Sequence, residues 1–154
     1  MHLRTLLKDK SFIPKSAQQI MSGILHTSYI ASPFSSEDSA KRADELAEKI
    51  GCNHNKTAMN SLMDKFLEFA EKLMKFMPKF KSEGGSYAED KALQNIQGRI
   101  RMMLSYLMAD LIPMTKNLKD GHLLVLASAN VDDQLMGNST KYDTSSGDIN
   151  PIGC

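Results

Sequence analysis

Between Met59 and Met77 the apolar residues fall at Met59, Leu62, Met63, Phe66, Phe69, Ala70, Leu73, Phe76 and Met77, opposite Lys65, Glu68, Glu71, Lys72 and Lys75. This is the 3.6-residue period of a helix with one wide apolar face, and something must cover that face. Burial in the protein's own core is the first reading; a subunit interface is the second, because Met and Phe are enriched where proteins meet. Interfacial membrane binding is disfavoured, since the polar face mixes acids with lysines and lacks a strong basic excess. A second helical stripe carries Leu93, Ile96, Ile100, Met103, Leu104, Leu107, Met108 and Leu111. It starts near Glu89 and Asp90, acids suited to a helix N-terminus, and Pro113 is expected to stop it. Phe80 to Tyr87, with Gly84-Gly85-Ser86 at its centre, reads as a mobile loop between the two helices.

Upstream, helix and strand signals alternate. Lys15 to Met21 follows Pro14 as a helix start with Ser16 as N-cap. Ile24 to Ala31 reads as a strand closed by Ser32-Pro33. Ser35-x-x-Asp38 has the form of a capping box, Ala40, Ala43, Leu46, Ala47 and Ile50 recur at helical spacing, and Gly51 sits where a left-handed C-terminal cap belongs. Downstream, Leu123 to Leu126 reads as a buried strand whose neighbour is Leu25 to Ala31. Asp132 to Gly137 is expected to form a short helix, and Asn138 to Cys154 a loop.

This order predicts an α/β fold, a parallel sheet flanked by helices. Open sheets of that kind bind ligands beyond the carboxyl ends of their strands, so chemistry is expected just after Leu126. Asn95 and Arg99 are four apart and share one helix surface at the margin of the apolar stripe, where a side chain is anchored yet reaches a cleft; Arg101 points elsewhere. Taken alone, Asn95, Arg99, Lys141 and Asp148 are ordinary solvated side chains.

Composition narrows the partners. A chain of 154 residues, 42% hydrophobic and 24% charged, fits one domain able to bury a core. A net charge of +1 gives no global field towards nucleic acid or an anionic membrane, so neither is expected as a partner. Met1 to Lys10 lacks the apolar core of a signal peptide, and no apolar run approaches the ~20 residues that span a bilayer; a cytoplasmic protein is expected. Cys52 and Cys154 are too few for a disulfide framework and are expected as reduced thiols. Cys52-x-His54 has no second pair at zinc-like spacing, which favours a short strand or loop over a metal site. His26 and His122 stand alone and are expected to serve structure.

Ser128-Ala129-Asn130-Val131-Asp132-Asp133, then Gly137, Thr140-Lys141-Tyr142-Asp143 and Asp148-Ile149-Asn150-Pro151-Ile152-Gly153, resemble the synthetase domain of eukaryotic-type glutamine-dependent NAD synthetases. Ala92 to Met102 resembles the substrate helix of that family, and Ile24 to Ser32 one of its sheet strands. The resemblance runs in register over nearly the whole chain. It implies the adenine nucleotide alpha hydrolase-like fold of the N-type ATP pyrophosphatases, incomplete here. It also implies ATP-dependent amidation of nicotinic acid adenine dinucleotide (deamido-NAD) to NAD through an adenylated intermediate, with ammonia from glutamine. By the same resemblance Asn95, Arg99, Lys141 and Asp148 bind deamido-NAD and Ser128 contacts ATP. Asp133 stands where the family usually places a glutamate for Mg2+, and is one methylene shorter. No catalytic side chain is assigned, because adenylation asks for positive charge at the leaving pyrophosphate more than for covalent help. Asn138-Ser139 replaces a commoner aromatic or apolar pair and is expected to loosen packing against the substrate.

The family's Ser-Gly-Gly-x-Asp-Ser loop occurs nowhere in the chain, and no Walker-type loop replaces it. Residues 1–154 are therefore expected to form a partial NAD synthetase domain that lacks the P-loop strand, the C-terminal segment and the glutaminase domain. Such a piece is expected to be inactive alone and to belong to a homo-oligomer in the full enzyme. The alternative is a non-catalytic dimerisation or dinucleotide-binding fragment of the same fold.

Overall fold

Helix α1 (Ala17–Ile24) begins at Ser16, whose hydroxyl accepts the Gln19 N–H at 3.2 Å, as the sequence predicts. A computed structural model describes residues 7, 11–116, 121–129, 131, 135 and 140–150, and the chain divides into two units, Met1–Ser61 and Leu62–Cys154.

In the first unit Ile24 closes α1 instead of opening the expected strand. The Leu25 N–H bonds back to the Met21 carbonyl at 2.8 Å, and the Asn53 side chain donates to the Ser22 and Leu25 carbonyls at 2.6 and 3.2 Å. Strand β1 (His26–Ala31) then pairs in parallel with β2 (Asn53–Ala58), in register from His26↔Asn53 to Ala31↔Ala58. The partner of β1 is thus β2, the stretch around Cys52 and His54 that reads as a short strand or loop.

Helix α2 (Glu37–Ile50) crosses between these strands. Its N-cap is Ser36, which accepts the Ser39 N–H at 3.1 Å; Ser35 sits one residue earlier and closes the preceding turn by accepting the Ser32 N–H at 2.9 Å. Gly51 ends α2 in the left-handed region at φ 76°, where a Cβ would also lie 2.9 Å from that of Gln18. Only glycine meets both demands. Ile30, Ala47 and Met59 are the buried apolar residues of this unit among those described.

Helix α3 (Asn60–Met74), which lies in the second unit from Leu62 onward, stops at Lys75, which turns left-handed at φ 55°. Its apolar face is largely uncovered. Met63 is buried, but Phe69 and Leu73 are 62% and 70% exposed, so burial in the chain's own core does not account for the stripe.

The glycine-bearing loop after α3 is braced, contrary to the mobile reading. A single 3-10 turn, Lys81–Glu83, leads to Ser86 as N-cap of α4 (Tyr87–Thr115). Ser86 and Glu89 form a reciprocal capping box, with the Ser86 N–H donating to Glu89 Oε2 at 2.8 Å. Glu89 also accepts the Lys79 N–H at 3.2 Å, and Asp90 accepts the Lys81 N–H at 2.9 Å. Two acids of the first turn therefore tie down the incoming chain as well as the helix end.

Pro113 does not stop α4, which runs on to Thr115. Proline lacks the N–H that would bond the carbonyl four residues earlier. That carbonyl, on Ala109, instead accepts the Leu123 N–H at 3.0 Å.

The stretch Leu123–Leu126 is not a buried strand. Leu124 and Leu126 are 58% and 52% exposed, and Leu126 makes a lone parallel bridge to Ile149. Four apolar residues signal burial, but a strand needs a second backbone alongside it, and here the neighbour is a turn. Leu93, Ile100, Met102 and Ala109 of α4 are buried, as are Ala127 and Ala129. Within the expected short helix Leu135 is helical, while Asp132, Asp133, Gln134, Met136 and Gly137 lie outside the described residues, as do Asn138 and Ser139.

Candidate functional site

Arg99 projects from α4 onto the turn that begins at Thr140. Its Nε donates to the Lys141 carbonyl at 3.1 Å and its Nη2 to the Thr140 hydroxyl at 2.9 Å. The neighbouring Gly98 permits the approach, since a Cβ there would lie 3.1 Å from the Cβ of Asp143. Asp143 holds the turn together from within: one carboxylate oxygen accepts the Thr140 N–H at 3.3 Å and the other the Ser145 N–H at 2.9 Å. Tyr142 takes a left-handed conformation at φ 64° at its apex.

Beside this turn lies a groove of about 370 Å³, lined by Phe66 of α3, by Ile96, Arg99, Ile100, Met102 and Met103 of α4, and by Tyr142. A guanidinium carries five donors, of which two are used here, so Arg99 keeps donors for an anion while the groove offers apolar and aromatic surface. The combination suits a flat ring that carries negative charge.

The other sequence-nominated residues distribute around the same α4. Asn95 is half-buried one turn before Arg99. Lys141 reaches Arg99 through its backbone, with its own side chain exposed. Asp148 accepts the Tyr106 hydroxyl proton at 2.9 Å with one oxygen and the Val125 N–H at 2.8 Å with the other. The Val125 amide first, then Tyr106 and the charge of His122, hold the Asp148 carboxyl below its ordinary range. The same bond holds the Tyr106 hydroxyl above its own.

Ser128 faces the turn. Its N–H and its hydroxyl both donate to the Thr144 carbonyl, at 2.8 and 3.3 Å. Asp133, the expected metal ligand, lies outside the described residues. Among the described residues no three His, Cys, Asp or Glu side chains meet to hold a metal ion.

Sequence reasoning missed Tyr106. Its signal is present nonetheless, because it follows Arg99 by seven residues and so shares that face of the helix two turns on. It also left Gly147 unremarked, where a Cβ would lie 2.6 Å from both the Ala127 nitrogen and the Val125 oxygen.

In the first unit the Cys52-x-His54 pair is drawn to a hydroxyl. Thr27 Oγ1 lies 2.8 Å from His54 Nδ1 and 3.3 Å from Cys52 Sγ, while His54 Nε2 is 3.4 Å from Asp44, which Lys56 also engages. These contacts lace β1, β2 and α2 together.

The parallel β1–β2 pair with helices around it defines an α/β protein. Two solved structures share the fold: the glutamine-dependent NAD(+) synthetase of Cytophaga hutchinsonii, with a TM-score of 0.64 at 24% identity over 87% of this chain and 20% of that one, and the glutamine-dependent NAD+ synthetase of Acinetobacter baumannii in complex with ADP, with a TM-score of 0.58 at 20% identity over 80% of this chain and 20% of that one. The chain belongs to the NAD synthase family, whose pattern matches residues 8–154. The glutamine-dependent NAD(+) synthetase of Oryza sativa subsp. indica is 45% identical over 146 residues, which are 95% of this chain and 20% of that protein. The chain thus spans about a fifth of the length of the curated relatives it matches. The resemblance carried by Ala92 to Met102 and by the Thr140 and Asp148 motifs identified the right family.

Proposed function

We propose that this chain supplies part of the dinucleotide-binding side of a glutamine-dependent NAD synthetase, an enzyme that amidates deamido-NAD with ATP and with ammonia from glutamine. The nicotinate carboxylate is a poor electrophile, since its charge and resonance oppose attack. Adenylation joins a carboxylate oxygen to the α-phosphorus of ATP and expels pyrophosphate; the mixed anhydride then carries AMP as a leaving group, which ammonia displaces with loss of a proton to form the amide. The work of this chain's residues is to bind and orient. Arg99 and Lys141 meet anionic parts of the dinucleotide, the groove beside them takes a flat ring, Asn95 adds an amide, and Asp148 accepts from a hydroxyl or amide donor. Ser128 lies at the ATP side of this reading. Mg2+ falls to Asp133 only by resemblance, so no step is assigned to it.

The observation that carries the reading is the pair of bonds from Arg99 to Thr140 and Lys141, which brings the helix arginine and the loop lysine to one place. Calorimetric titration of the chain with deamido-NAD tests it. Hydrogen bonds to charged groups contribute about 1.5–3 kcal/mol, so Arg99→Ala weakens binding by roughly ten- to a hundredfold. Equal affinity of Arg99→Ala and the parent chain would falsify the reading. The isolated chain is expected to show no ATP-dependent amidation, and robust turnover by purified material refutes that expectation.

The exposed stripe of α3 favours a second reading, a non-catalytic dimerisation module of the same fold. Sedimentation distinguishes it: a dimer dispersed by Phe69→Asp, with no heat on addition of deamido-NAD, supports the module.

A further inference from the structure

Asp148, the acceptor in the proposed dinucleotide site, is held in place from α4. A carboxylate offers about four lone-pair positions. Two are taken, by the Tyr106 hydroxyl and the Val125 N–H, and Asp148 is exposed, so acceptor capacity remains for a ligand. Seven residues along a helix advance about 10 Å and nearly complete two turns, which puts Arg99 and Tyr106 on one face. Arg99 grips the start of the turn at Thr140 and Lys141, and Tyr106 grips its end at Asp148. One rigid helix therefore holds both ends of the segment that carries the two charged loop contacts.

We propose that Tyr106 is a positioning residue for the dinucleotide: its hydroxyl fixes the Asp148 carboxylate in a single orientation, so that the ligand meets an acceptor already aimed. This rests on the function proposed above. The groups facing Asp148 are Tyr106 on α4, and His122 and the Val125 amide on the segment that follows. A neutral phenol can donate there; a phenolate would repel the carboxylate. Tyr106→Phe removes the donor and keeps the ring, so packing is preserved while Asp148 keeps, among the described residues, the Val125 bond alone.

The full chain carries the test. Calorimetry with deamido-NAD is expected to show Tyr106→Phe binding about three- to tenfold more weakly, a smaller loss than that of a direct ligand contact, because Tyr106 acts only through Asp148. Tyr106→Phe adds nothing further in an Asp148→Ala background, because a positioning residue acts only through its partner. In an ultraviolet titration of the tyrosines, Asp148→Asn lowers the midpoint of Tyr106, a signature that does not depend on ligand. If the parent chain binds, Arg99→Ala weakens binding as expected above, and Tyr106→Phe binds as the parent does, the positioning role fails while the proposed function stands. Additive losses in the double variant, or a Tyr106 midpoint unmoved by Asp148→Asn, also overturn it. A parent chain that binds no deamido-NAD overturns both.

Discussion

The β1–β2 pair and the bridge at Leu126 are both parallel contacts between backbone segments, yet one runs through six residue pairs and the other through one. In the pair, each strand answers the other, and the ladder is extended at its two ends by the Asn53 N–H on the Leu25 carbonyl and the Met59 N–H on the Ala31 carbonyl, both at 2.9 Å. In the bridge region, the donors scatter. Leu123 bonds the Ala109 carbonyl of α4, Val125 the Asp148 carboxylate, Ala127 the Ile149 carbonyl and Ser128 the Thr144 carbonyl. Both arrangements give backbone N–H groups partners, and buried backbone groups strictly require them. The first produces a sheet; the second stitches one extended segment to a helix and a turn, and that turn carries the candidate ligand contacts.

The sharpest way to break the ladder is Ile30→Ala. Ile30 is 8% exposed, and removing a buried Ile side chain to its Cβ costs about 2–5 kcal/mol, which urea unfolding measures as a lower midpoint. The bridge is broken separately by Gly147→Val. Its new side chain meets the Ala127 nitrogen and Val125 oxygen, for an expected loss of about 1–3 kcal/mol and faster amide exchange at Ala127 with the β1–β2 amides unchanged. Thr27→Val removes the hydroxyl shared by His54 and Cys52 and is expected to cost about 1 kcal/mol, read in the same unfolding experiment.

Acid probes both regions with the smallest effect. Asp44 on α2 is held below its ordinary 3.8 first by its hydrogen bond with Lys56, and Asp148 below the same value first by the Val125 amide. A carboxyl depressed in the folded state stabilises it above the ordinary value, and that contribution is lost as pH falls through the folded value. Stability should therefore decline slightly as pH falls below about 4, and the loss is complete once both carboxyls are protonated in the folded state. Asp148→Asn is expected to remove that acid response from amide exchange at Val125 and leave it in β2. Both carboxylates are solvent-exposed, so added salt should shrink the response of Asp44 to Lys56.

Local signals were the legible ones. Ser16, Gly51 and the acids Glu89 and Asp90 mark helix ends because caps are satisfied within a few residues of chain. β2 was legible only as a strand or loop, since Asn-His-Asn-Lys-Thr-Ala lacks the apolar alternation that announces a strand; its ladder with β1 makes it one. Leu123–Leu126 misled in the opposite sense, with an apolar run and no second strand beside it among the described residues. The meeting of Arg99 with Lys141 spans 42 positions and came from family resemblance, not from spacing. Tyr106 escaped notice because its partner Asp148 is equally remote in sequence.

Pro113 works as a socket. By withholding its own donor it leaves the Ala109 oxygen vacant for the Leu123 N–H, and so sets the point at which the chain returns to α4 after leaving it. Each residue turns a helix by about 100°, so moving the proline by one position would rotate that docking point round the axis. Val125 and Ser128 would swing away from Asp148 and Thr144 with it, which makes a ring with no hydrogen to give the reference mark for the whole site.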